Sequence, residues 1–172
     1  MAFIGPDAVI QQVTNSPTTL ASYNSSNSNF VEINSNYRVS ITPKRSDSDI
    51  LLTYTVSLNQ QGNNNSIQNY KFQVSDNGGS TWSDFNLGTT SGSRTRCHGS
   101  FRCCGYDGND ADPITLRAVH ENVGGTGTRI YRLVWRFADG ACNLHFNLSS
   151  SNGTTWPWTA PTFFTATEIG QS

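Results

Sequence analysis

The chain has 172 residues with 11 basic and 12 acidic side chains, a net charge of −1, and so carries no electrostatic footprint for nucleic acid or an anionic membrane. Ser, Thr and Asn supply 58 residues against 23 charged ones, a neutral hydroxyl- and amide-rich coat unlike that of most catalytic domains. Composition therefore points to a built or binding structure, and at this length to one domain.

Residues 1–8 form a short arm, Met1 to Ala8, with Phe3 and Ile4 as its apolar side chains before a Gly-Pro break. The arm has no basic start and no apolar run long enough for a signal peptide, and no stretch suits a transmembrane helix. The expectation is a soluble chain made in a cytoplasm, with residues 9–172 as a single β-domain. Val9–Val13 reads as the first strand and a Ser/Asn-rich linker follows it. Phe30–Ile33 and Tyr37–Ile41 alternate with period two, the second stopping at Thr42-Pro43. Ile50–Leu58 is the longest strand signal, with Leu52, Tyr54, Val56 and Leu58 on one face, and Gln60 opens an exposed loop. Tyr70–Val74 feeds a tight hairpin through Asn77-Gly78-Gly79. Arg94–Tyr106 reads as a long strand carrying Cys97, Cys103 and Cys104. Ile114–Glu121 alternates Ile114, Leu116, Ala118 and His120 against Thr115, Arg117 and Val119. Ile130–Phe137, Cys142–Leu148 and Phe163–Ile169 complete the set. Ten or eleven short strands with no helical period predict an all-β, jelly-roll-like two-sheet antiparallel sandwich.

Chemistry is sparse. Cys97, Cys103, Cys104 and Cys142 would suit two disulfides in an exported protein, but nothing indicates export. A metal site at Cys97-His98 and Cys103-Cys104 is rejected, because neighbours on a strand point to opposite faces. Buried free thiols are the expectation, with a bond from Cys142 to one of the other three left open. His98, His120 and His145 lie in strand patterns without a nucleophile elbow nearby, so no catalytic residue is assigned. The Asp107–Asp112 run is oxygen-rich but lacks the EF-hand spacing, and it reads as a loop. No cofactor and no metal are predicted. Ser75–Trp82 resembles the Asp-box turn of sialidases, with Asn77 where the Asp belongs, and Ser150–Trp156 is a shortened echo. Both are hairpin devices rather than catalytic sites. Trp156 and Trp158 flank Pro157 as a rigid aromatic pair, suited to a partner contact or to a sugar.

Five motifs occur in order over about residues 9–170: Phe30–Ile33 before Val39–Pro43, then Ser46–Leu52, Gly92–Arg96, the Gly-Thr-Gly turn before Ile130–Leu133, and Thr165–Ile169. Together they resemble a β-domain of tailed-phage virion proteins, especially those of cyanophages, where it forms knobs, fibre ends and capsid decorations. The cysteine-rich strand departs from that pattern. The resemblance implies a homotrimeric jelly roll on the virion surface, non-enzymatic, with itself and the major capsid protein as partners and neither nucleic acid nor membrane. With only a short arm before the first strand, a capsid cement or decoration protein that stabilises the shell is the expectation. Phe3 and Ile4 are then the candidates for the capsid contact. The alternative is a short tail-fibre or tail-tip module that recognises host surface glycan, with Trp156, Trp158 and Tyr106 as stacking residues.

Overall fold

The computed structural model describes residues 8–18, 21–25, 29–62, 67–102, 112–139, 142–146 and 160–171, with backbone alone for 21–25, 59–62, 112, 139 and 142–144. Among the described residues twelve strands run in chain order: β1 Val9–Asn15, β2 Ala21–Ser25, β3 Val31–Glu32, β4 Val39–Ile41, β5 Asp49–Gly62, β6 Ile67–Ser75, β7 Ser83–Asp84, β8 Gly99–Phe101, β9 Asp112–His120, β10 Arg129–Asp139, β11 Cys142–Phe146 and β12 Phe163–Ile169. They form two six-stranded sheets in which all pairings are antiparallel. Sheet A has the order β1-β12-β5-β11-β2, with β9 on the other side of β5. Sheet B has the order β3-β10-β6-β7, with β4 also on β10 and β8 also on β6. Chain order crosses repeatedly between the sheets, from β4 in B to β5 in A, β6 in B, β9 in A, β10 in B and β11 in A. The expected all-β antiparallel sandwich is the fold of the chain.

The alternation that marks the strands also fills the space between the sheets. Leu52, Tyr54, Val56 and Leu58 on β5 are all buried, as are Phe164 and Ala166 on β12. Tyr131, Leu133, Trp135 and Phe137 from β10 and Phe72 from β6 meet them from sheet B in one apolar cluster. Tyr54 and Phe164 meet edge-to-face at 5.3 Å and Phe72 lies 5.6 Å from Phe164, so aromatic rings bridge the two layers. Removing a ring of this kind costs about 3–5 kcal/mol.

Several expectations shift. Ala21–Ser25, read as linker, is a strand because β11 pairs with it. Gln60–Gly62, read as loop, continues β5 because the same β11 takes it as a partner. Tyr37 lies in a 3-10 turn (Ser35–Tyr37) that Asn34 caps through its side chain, so the strand there is only Val39–Ile41. Arg94–His98 is not a strand, and among the described residues of the long segment expected there Gly99–Phe101 pairs, against β6, with residues 103–106 outside the described residues. Gly99 is required at that point, since a Cβ would meet the Tyr70 ring at 2.8 Å.

Candidate functional site

The outward side chains of sheet A form a regular grid, because directly paired residues on antiparallel strands share a face. Register places Thr115, Thr55 and Phe163 in one row, then Arg117, Thr53, Thr165 and Thr14. The next rows are Val119, Leu51, Thr167 and Gln12, and at the rim Asp49, Ile169 and Val9. Of the five large apolar side chains most exposed among the described residues, three stand here: Val9 at 63%, Phe163 at 43% and Val119 at 38%. Arg117 and Asp49 are the charges of the grid. Asp49 is tied at the rim, accepting from the Asn122 backbone N–H at 2.8 Å and the Gln171 amide at 2.6 Å. Hydroxyl contacts link Thr14 to Thr165 at 2.9 Å and Thr55 to Thr115 at 3.3 Å.

Sheet B presents the opposite surface. Glu32 accepts two hydrogen bonds from Arg38, at 2.7 and 2.8 Å, and one from Arg132 at 3.1 Å. Burial alone would raise the Glu32 carboxyl, but its bonds to Arg38 and then Arg132 outweigh burial and hold it below the usual range. Arg132 also donates twice to Gln73 Oε1, and Asp84 accepts from Lys71 and Gln73, each at 2.7 Å. Aromatic rings cover these stems. Trp82 lies against Arg132 at 4.2 Å and Arg38 at 4.8 Å, while Phe30 lies against Lys71 at 4.5 Å.

Trp82 reaches that position through the Asp-box-like hairpin. Asn77 Oδ1 accepts from the Ser75 hydroxyl at 2.9 Å and the Thr81 N–H at 3.0 Å, and its Nδ2 donates to Thr81 Oγ1 at 2.7 Å. Gly78 and Gly79 adopt φ of 73° and 90°, which closes the turn without a Cβ penalty. Asn77 therefore closes the turn as both acceptor and donor, the donor being a group an Asp carboxylate lacks. The hairpin is a turn that holds an aromatic plate over sheet B.

One carboxylate is buried in the sandwich. Glu168, on the inward side of β12, accepts from the backbone N–H groups of Lys44 (2.8 and 3.0 Å) and Arg45 (3.0 Å). The Ser48 hydroxyl at 2.8 Å and the Gln11 amide at 2.6 Å complete its shell. Burial would raise this carboxyl, but those donors, led by Lys44 N–H, lower it. Glu168 thereby clasps the Thr42–Ser48 loop to β12 and β1, which joins two of the sequence motifs in space.

The expected contact residues Phe3, Ile4, Trp156 and Trp158, with Tyr106, Cys103 and Cys104, lie outside the described residues. Cys142 is on β11 and Cys97, half-buried in the segment before β8, is a free thiol. His98 is not on a strand; its Nδ1 accepts from the Phe72 N–H at 3.0 Å, and burial lowers its pKa to about 4. His120 and His145 do lie on strands, and burial lowers both. The described residues hold no His/Cys/Asp/Glu cluster able to bind a metal, and among them no helix is long and apolar enough to cross a membrane.

The outer face of sheet A was not anticipated from the sequence: Thr53, Thr55, Thr165 and Thr167 become one surface only through strand register. Nothing in the sequence signals the Glu168 clasp, whose donors come from three separate segments. No protein-family model matches the chain, and no curated protein matches it either.

Proposed function

We propose that this chain is a structural protein of a tailed-phage virion: a homotrimeric, non-enzymatic cement protein on the outer surface of the head. The observation that carries the reading is the outer face of sheet A. A monomer that exposes a sheet face to water ordinarily alternates apolar residues inside with polar ones outside, and large aliphatic side chains there are the exception. Here the outside is threonine and aliphatic, with Arg117 the one charge at its centre. A nearly uncharged face can meet its own copy without like-charge repulsion. Its β-branched side chains have few rotamers to lose on burial, which lowers the cost of association. Such a self-contact covers Val9, Phe163 and Val119, the apolar groups that water now reaches.

The Ser/Thr/Asn coat over the remaining surface suits a protein that faces solvent and resists nonspecific adhesion. A trimer that binds only the assembled shell stabilises it by mass action, in proportion to how tightly it holds the assembled over the free state. Phe3 and Ile4 are the proposed contact with the major capsid protein. Purified protein added to expanded heads lacking it should bind with saturable stoichiometry and raise their disruption temperature, and a density map should place it at three-fold positions. Labelled protein found only at the tail, or no binding to heads, would contradict the cement role.

A further inference from the structure

We propose that the cleft at the end of the sandwich, where the Ser75–Trp82 hairpin meets β9 and β10, binds a single neutral sugar unit of a glycan. The cleft has a volume of about 180 Å³ and is lined by Val74, Asp76, Ser83, His120, Val123 and Arg129. That space lies below the range of about 300–1,000 Å³ typical of sites for larger ligands, which suits one six-membered sugar ring.

The lining offers complementary and unspent hydrogen-bonding groups. Asp76 is acceptor-only, Arg129 donor-only, and the Ser83 hydroxyl is both. Neither the Asp76 carboxylate nor the Ser83 hydroxyl has a hydrogen-bond partner among the described residues. Arg129 uses two of its N–H groups on the carbonyls of Gly127 (3.2 Å) and Val123 (3.1 Å), which orients the guanidinium and leaves its other donors open. His120 is held from behind: Nδ1 bonds the buried Tyr131 hydroxyl at 2.8 Å, and the ring stacks on Phe85 at 4.6 Å. Burial and then the Arg129 charge lower its pKa, so at neutral pH the ring adds no charge to the cleft.

Each wall is also fixed before any ligand arrives. The Asn77 bonds set the hairpin that carries Asp76. Reciprocal bonds between Asn86 and Glu121, at 3.0 and 3.2 Å, tie the segment after Ser83 to the end of β9. Preorganised polar groups of both signs around a small apolar patch, Val74 and Val123, match a polyol, whose hydroxyls both donate and accept and whose C–H faces are apolar. A free carboxylate would meet Asp76, and a cation would meet Arg129. The site is separate from the outer face of sheet A, none of whose grid residues lines it.

The test is amide NMR of the full chain titrated with methyl glucoside, methyl galactoside and methyl mannoside, with sodium acetate and glycine as charged probes. At least one glycoside should shift Asp76, Ser83 and Val123, and Asp76→Ala should weaken that binding at least about tenfold. Ser83→Ala, a second and milder change, should weaken it in the same direction with the amide spectrum otherwise unchanged. The proposal is overturned if no glycoside shifts these residues up to about 0.1 M, a limit below which even weak recognition registers. It is equally overturned if acetate or glycine shifts them more strongly than any glycoside, or if both variants bind as the parent does.

Discussion

On the outer face of sheet B each of Glu32, Arg38, Lys71, Asp84 and Arg132 finds a partner within its own chain, and Trp82 and Phe30 lie over the cationic groups. On the outer face of sheet A the hydroxyls form a few contacts with one another, the apolar side chains stand in water, and the carboxylate of β12, Glu168, is turned inward. One face is closed by its own residues, and the other is left to be closed by something else. The same strand geometry produces both, so the difference lies in which residues occupy the outward positions. A surface saturated within the chain has little left to offer a partner, whereas a neutral β-branched surface gains from being covered.

The comparison breaks most visibly at Glu168. Glu168→Ala leaves two backbone N–H groups and the buried Ser48 hydroxyl without their acceptor, while Gln11 keeps the Thr42 carbonyl, so it should lower unfolding stability by about 3 kcal/mol in urea titration. Glu168→Gln should recover only part of this, since an amide offers a single acceptor oxygen. On sheet B, Glu32→Ala removes the hub of a partly exposed network and should cost about 1–2 kcal/mol, without altering the mass of any assembly. A loss of association in that variant would mean that sheet B is the contact face.

Acid separates the groups further. The folded-state pKa of His98 is lowered to about 4 from 6.5, so the unfolded chain binds the proton more readily in that window. Stability should therefore be complete above about pH 6.5 and fall as pH drops towards 4, by less than about 2 kcal/mol for this partly exposed ring. Glu168 and Glu32, whose carboxyls are lowered, contribute a second loss that begins only below their ordinary range near 4.5. Melting temperatures across pH 7 to 3 should show these two stages, and a flat profile above pH 4.5 would remove His98 from the account.

Much of the sandwich was legible where packing dictates an alternating pattern. Leu52, Tyr54, Val56 and Leu58 could only be one face of a half-buried strand, and Leu116 and Ala118 repeat the pattern on β9. Ala21–Ser25 was not legible, because its strand character comes from pairing with β11 rather than from an apolar period. Arg94–Cys97, the start of the expected Arg94–Tyr106 strand, fails in the opposite way: it meets no partner strand among the described residues. The Asp-box likeness anticipated the hairpin but not the plate of Trp82 between two arginines, since Arg38 and Arg132 are remote from it in sequence. The expected contact residues Phe3, Ile4, Trp156 and Trp158 are outside the described structure, whereas the threonine grid emerges only from register.

The central claim, that sheet A's outer face is covered by further copies of the chain, is tested most directly by sedimentation equilibrium of the parent protein and a Thr14→Glu/Thr115→Glu pair, two exposed grid positions on β1 and β9 that are not paired with each other. Exposed substitutions of this kind change folding stability by about 0.5 kcal/mol or less each. The account predicts a trimeric parent and a monomeric, still folded double variant, because the contact would then bury carboxylates without partners. A monomeric parent, or a variant that remains trimeric, would contradict it.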